Sequence, residues 1–111
     1  MPEADLATRI VLTTAASPDD ARRLGRALVE ERLAACATLI PAAESIYNWE
    51  GRVESATETL LLLKTGADQL AALEARLLEL HPYETPEFLV LPVEAGGAAY
   101  LAWMKAGLRQ V

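Results

Sequence analysis

One histidine, His81, stands in the stretch His81-Pro82-Tyr83-Glu84-Thr85-Pro86-Glu87, beside a phenol and two carboxylates. A short loop so constrained, and so rich in groups that bind ligands or protons, is a candidate functional site. A purely structural role competes with that reading. A histidine closing a helix interacts favourably with the negative end of the dipole, and prolines are ordinary helix and strand punctuation. Cys36 is the only cysteine. It has no histidine or basic residue beside it in sequence, so it reads mainly as a small buried hydrophobe, with metal or redox chemistry as the lesser alternative. Ser17, Ser45 and Ser55 have no histidine near them in sequence, and neither a phosphate-cradling glycine loop nor zinc-type cysteine spacing occurs. The chain is expected not to be an enzyme. A small isomerase-like enzyme using His81 and Glu84 as an acid–base pair is the weakest reading.

The elements that must hold this stretch follow from the pattern on either side. Pro82 disfavours helical dihedrals at residue 81, so the helical run with Leu70, Leu73, Leu77 and Leu80 on one face should end there. Pro86 stiffens the entry to a strand over 88–93. Upstream, Arg9 to Thr14 is β-branched and apolar, a first strand. Ser17-Pro18-Asp19-Asp20 starts a helix, with Ser17 as cap and Pro18 at its first position. Ala21, Leu24 and Leu28 repeat at helical spacing, and the helix is expected to run to about Leu33 or Ala35. Ala37 to Asn48 reads as a second strand bulged at Pro41, and Asn48-Trp49-Glu50-Gly51 as a turn. A third strand follows from about Arg52 to Lys64, and Gly66 breaks it. After Gly96-Gly97 comes a short last helix whose Tyr100 and Trp103 are expected in the core with Met104.

The order β-α-β-β-α-β plus a terminal helix is the ferredoxin-like split βαβ arrangement, an α+β two-layer sandwich in which two helices cover one face of a four-stranded sheet. One domain over 1–111 accounts for the length. Such a sheet should alternate apolar and polar residues, yet Ile10-Val11-Leu12, Leu60 to Leu63 and Phe88 to Leu91 are contiguous apolar runs. The economical cover for a second face is another copy of the chain, so a homo-oligomer is expected.

Composition narrows the partners. The 111 residues are 52% apolar and 23% charged, and ten basic against sixteen acidic side chains leave a net charge of −6. No basic block stands out, which argues against nucleic acid and anionic membranes. No apolar run approaches the roughly 20 residues that span a bilayer, and the start of the chain lacks a signal-peptide pattern. With a lone cysteine, the expected compartment is cytoplasmic.

Four stretches also carry a family resemblance: Leu28 to Ala37 (Leu-Val-Glu-Glu-Arg-Leu-Ala-Ala-Cys-Ala), Ser45 to Gly51 (Ser-Ile-Tyr-Asn-Trp-Glu-Gly), Leu63-Lys64-Thr65, and the His81 to Glu87 stretch itself. Leu91-Pro92-Val93 and Tyr100-Leu101-Ala102-Trp103 fit as well. In this order and spacing the chain resembles the CutA family of divalent-cation tolerance proteins over nearly its whole length. The resemblance implies a ferredoxin-like protomer in a homotrimer similar to the PII signalling proteins, with ligand clefts between subunits. Trp49, Lys64 and Tyr83 are the candidate cleft residues. It further implies a role in copper or other divalent-metal tolerance, with proposed ligands at a cysteine late in the first strand and at two adjacent histidines. Here those positions hold Thr13 and Leu80-His81; His81 with the Glu84 and Glu87 carboxylates is the remaining candidate ligand set for Cu(II) or Zn(II), so loose binding is expected rather than a tight, dedicated site. No cofactor is obligatory, and Cu(II) or another divalent cation is the candidate ligand. The alternative is a PII-like sensor that binds a small anionic metabolite in the inter-subunit cleft.

Overall fold

In a computed structural model, which describes residues 3–4 and 7–110, the chain forms β1 (Glu3–Ala4), β2 (Thr8–Ala15), α1 (Pro18–Glu30), β3 (Cys36–Trp49) and β4 (Arg52–Gly66). A single 3-10 turn, Ala67–Gln69, then leads into α2 (Leu70–Leu80), which is followed by β5 (Leu89–Pro92), β6 (Ala95–Gly96) and α3 (Ala98–Gly107). The main sheet is antiparallel in the order β3-β4-β2-β5, the split βαβ order expected from the sequence. A second, two-stranded ladder pairs Glu3 with Gly96 and Ala4 with Ala95. Two-residue strands carry no periodicity, so this ladder was invisible in the pattern.

Local signals act where the sequence puts them. The Ser17 Oγ accepts the Asp20 N–H at 3.1 Å, and Pro18 opens the helix. At the hairpin tip Glu50 and Gly51 both have positive φ, 50° and 79°, as a two-residue type I′-like turn requires. Ala42, at φ 62°, carries the bulge between Ile40 and Ala43 beside Pro41. One boundary differs. α1 stops at Glu30, short of Leu33, because Arg32 takes φ 61° and the Leu33 and Ala34 N–H groups turn back to the Leu28 carbonyl at 3.0 and 3.2 Å. That turn drives Leu33 and Ala34 into the core.

The core lies between the helices and one face of the sheet. Val11, Ala15, Leu61 and Leu63 from the strands meet Ala21, Leu24 and Leu28 of α1 and Leu73 and Leu77 of α2. Paired residues of an antiparallel ladder share a face. The register therefore places Leu91, Ile10, Lys64 and Cys36 in one row of the opposite face, Leu89, Leu12, Leu62 and Thr38 in the next, and Thr14, Leu60 and Ile40 in a third. This face, which α1 and α2 leave uncovered and α3 only borders at Lys64, is largely apolar. Leu89, Leu91 and Ile40 are 55%, 44% and 45% exposed in the single chain. The contiguous apolar runs of the sequence thus serve two faces, one covered and one open.

Two expectations about the periphery change. Tyr100 and Trp103 are not core residues: they are 46% and 56% exposed, while Met104 alone of α3 is buried. α3 is a ten-residue helix that seats one stripe on the domain, and its aromatic pair packs on itself, ring centroids 5.5 Å apart. The β3–β4 hairpin extends beyond the helices, consistent with overall extents of 45 × 28 × 21 Å, and Ile46, Trp49 and Val53 near its tip are well exposed.

Candidate functional site

The Pro-flanked stretch leaves α2 at Leu80. His81 takes φ −76° and ψ 133°, the extended conformation that Pro82 imposes, while its N–H closes the helix on the Leu77 carbonyl at 2.9 Å. The imidazole folds inward and is 7% exposed. Its Nδ1 accepts the Tyr83 N–H at 3.0 Å, and Nε2 sits 2.7 Å from the Thr14 carbonyl oxygen. A carbonyl can only accept, so Nε2 donates and the tautomer is fixed. Both ring nitrogens are thereby bonded to backbone. The Tyr83 ring leans against the imidazole with centroids 4.7 Å apart, and its hydroxyl donates to Glu58 of β4 at 2.9 Å.

This geometry latches the turn onto β2 and β4. Burial would push the Glu58 carboxyl up, but the nearby Ser45, Tyr83 and Thr14 hydroxyls, with His81 close by, outweigh burial and hold it below the usual carboxylate range. Tyr83 is pushed up to about 12, first by burial and then by its hydrogen bond to the Glu58 carboxylate and that group's charge. A depressed Glu58 contributes stability above its unfolded pKa and loses it as pH falls through the folded value. A raised Tyr83 contributes below its unfolded pKa, about 10, and loses it as pH rises. The Tyr83→Phe variant should therefore be less stable than wild type by about 1–2 kcal/mol at neutral pH, the worth of a charge-assisted hydrogen bond. In urea titrations that gap should narrow below about pH 4 and again above about pH 10. A gap that stays constant from acid to alkaline pH would disprove the latch.

Glu84 and Glu87, by contrast, are exposed and make no side-chain hydrogen bond or ion pair among the described residues. Thr13, which the resemblance sets where the family has a first-strand cysteine, is fully buried under the helices with its Oγ1 unpartnered among the described residues. Leu80, which the resemblance sets where the family has the other histidine, packs against the core. Among the described residues no group of three or more His, Cys, Asp or Glu side chains is placed to hold a metal ion. A divalent cation at His81 would need a nitrogen lone pair that the fold gives to the Tyr83 amide. Among the described residues no preformed site for it is placed around His81.

The cleft candidates lie apart. Trp49 is at the hairpin tip and 61% exposed, Lys64 is near the opposite end of the same strand pair, and Tyr83 is on the latched turn. The twelve residue-to-residue steps along β4 from Arg52, opposite Trp49, to Lys64 span roughly 40 Å. A single chain does not bring Trp49 and Lys64 together. Lys64 instead pairs with Cys36 across the ladder, its Nζ 3.8 Å from Sγ, 3.4 Å from the Thr38 hydroxyl and 6.0 Å from the Tyr100 ring centre. Cys36 is half-buried and free.

The sequence reading missed this pair and Glu58. A signal for the first was present. Counting outward from the Glu50–Gly51 turn sets Cys36 opposite Thr65, and the one-residue bulge beside Pro41 moves the partner to Lys64. For Glu58 no local signal exists, because its partners come from β2, β3 and the turn after α2.

Comparison with known proteins matches this fold and most of the sequence. The pattern of the family described as CutA1 divalent ion tolerance protein covers residues 9–107. The Divalent-cation tolerance protein CutA of Pectobacterium atrosepticum is 49% identical over 102 residues, spanning 90% of this chain and 91% of that one. The protein of the same name from Escherichia coli strain K12 / DH10B is 48% identical, with 93% and 92% covered. Among solved structures, CutA from Synechococcus elongatus PCC7942 superposes with a TM-score of 0.94 at 37% identity, over 98% of this chain and 96% of that chain. The divalent cation tolerance protein of Thermus thermophilus gives 0.89 at 42%, over 92% and 99%. With the family pattern spanning nearly the whole sequence and the four-stranded fold shared, this chain belongs to the CutA1 divalent ion tolerance family.

Proposed function

We propose that this protein serves divalent-cation tolerance as a homotrimer, with loose cation contact at the turn of His81, Glu84 and Glu87 rather than a tight, preformed site. Tolerance is what the names of its relatives state. The observation that most supports loose contact is the engagement of both His81 nitrogens by backbone, which leaves two solvated carboxylates as the accessible donors. Carboxylates alone suit weak, exchangeable binding of hard or borderline cations. The apolar, open sheet face supports assembly, and three is the number that the family resemblance implies. In this reading Trp49, Lys64 and Tyr83 line clefts between copies, and the protein is cytoplasmic and not an enzyme. No helix among the described residues is long and apolar enough to cross a membrane. A related protein from Archaeoglobus fulgidus is described as periplasmic.

Native mass spectrometry of wild type and His81→Ala, titrated with Cu(II) and Zn(II), tests the reading in one experiment. The expected result is a trimer whose metal adducts appear only at high metal concentration. Adducts should be modestly reduced in His81→Ala and abolished when Glu84 and Glu87 are both changed to Gln. One tightly held metal per subunit, lost on His81→Ala, would show that the imidazole leaves its backbone partners and would replace loose contact by a true site. A monomer would undo the assembly.

A further inference from the structure

A groove of about 410 Å³ runs between the outer flank of α1 and the first residues of β3, away from the His81 turn. Val29 and Leu39 give it an apolar floor, Arg22, Arg26 and Glu30 line it from α1, and Trp103 of α3 lines it as well. It lies within the size range of small-molecule sites, and its mixture of apolar floor and few polar groups is typical of them. Arg22 is committed to Asp19, at 2.8 Å. Arg26 makes no ion pair or side-chain hydrogen bond among the described residues, although the chain as a whole carries a net charge of −6. With Arg22 answered by Asp19, Arg26 is the guanidinium of the groove left with neither an ion pair nor a side-chain hydrogen bond among the described residues.

Trp103 adds the second element of recognition. The indole, 56% exposed beside Val29 and Leu39, packs against the tilted ring of Tyr100, centroids 5.5 Å apart. A planar ring stacked on the indole would remove further apolar surface from water. A planar guanidinium is the side chain best matched to a carboxylate or phosphate.

We propose that this groove binds a planar aromatic anion, its ring against Trp103 and its carboxylate or phosphate on Arg26. The occupant defined by this chemistry is a small aromatic acid or a nucleoside monophosphate. The site shares no residue with the His81 turn, so it stands or falls independently of the metal reading.

The test uses the full chain in EDTA with Trp49→Phe, which leaves Trp103 as the sole indole of two. Quenching of its fluorescence is followed with 4-nitrobenzoate for the carboxylate, AMP for the phosphate, and inorganic phosphate as a control without a ring. At least one ring-bearing probe should quench saturably, and Arg26→Gln should weaken that binding about tenfold, the loss expected for one charge-assisted contact. Calorimetry of Trp103→Leu should show a comparable loss with the same probe. Quenching that never saturates, affinity unchanged in Arg26→Gln, or displacement of the probe by inorganic phosphate at equal concentration would each overturn the proposal.

Discussion

On the proposed assembly, replacing Leu62 by arginine is expected to give folded monomers. Leu62 lies in the middle of β4 and of the open face, in one row with Leu12, Leu89 and Thr38. Its side chain points away from the core formed by Leu61 and Leu63, so in a single chain an arginine there reaches solvent and the fold survives. In a closed oligomer the same position is covered. Each subunit then loses the burial of a leucine, about 2 kcal/mol, and must desolvate a guanidinium without a partner, which costs several kcal/mol more. In a symmetric assembly the defect recurs in every subunit. Sedimentation should give a monomer mass while the far-ultraviolet circular dichroism stays that of wild type. An oligomer of wild-type mass would mean that this face is not the interface. A variant that loses its secondary structure would mean that the face is part of the folding core.

That outcome bears on how much of the molecule could be read in the sequence. The strand runs Ile10-Val11-Leu12 and Leu60 to Leu63 gave both the strand positions and the demand for a second apolar environment, because an apolar run cannot satisfy a sheet with one wet face. Ser17, Pro18, Gly51 and Pro41 marked a cap, a first helical turn, a hairpin tip and a bulge, and each acts through local backbone geometry. The readings that failed depend on distant partners. The helix is expected from the sequence to reach Leu33 or Ala35, yet the chain turns at Arg32 so that Leu33 and Ala34 can enter the core and Thr65 can donate to the Leu33 carbonyl at 2.7 Å. Tyr100 and Trp103 share a helical face with Met104, and nothing in that spacing says that the domain has room for only one of the three. The His81 stretch was recognisable as constrained, but its chemistry was not legible. The same imidazole is a metal ligand if its nitrogens are free and a structural pin if they are bonded, and the deciding atoms are the Thr14 carbonyl, remote in sequence, and the Tyr83 amide.

The neighbour of Leu62 should give the opposite result. Leu61→Ala is expected to lower the free energy of unfolding by about 2–5 kcal/mol without changing the partners the protein chooses. Leu61 is fully buried beneath the helices, paired across the ladders with Thr13 and Leu39. Truncation leaves a void lined by residues already held by the ladder on one side and by α1 on the other, so collapse is limited and the cost should sit toward the upper part of that range. Against a typical total of about 5–15 kcal/mol for a domain, such a loss is large. The proposed assembly would stabilise the folded chain by mass action, so wild type and variant must be compared at one protein concentration, where the urea midpoint should fall with little change in slope. Placing Leu61→Ala on the Leu62→Arg background removes that support, and the doubly substituted chain should unfold at still lower urea in proportion. If Leu61→Ala instead cost less than about 1 kcal/mol while dissociating the oligomer, the two faces of β4 would have to be exchanged, and the register that places Leu62 on the open face would be wrong.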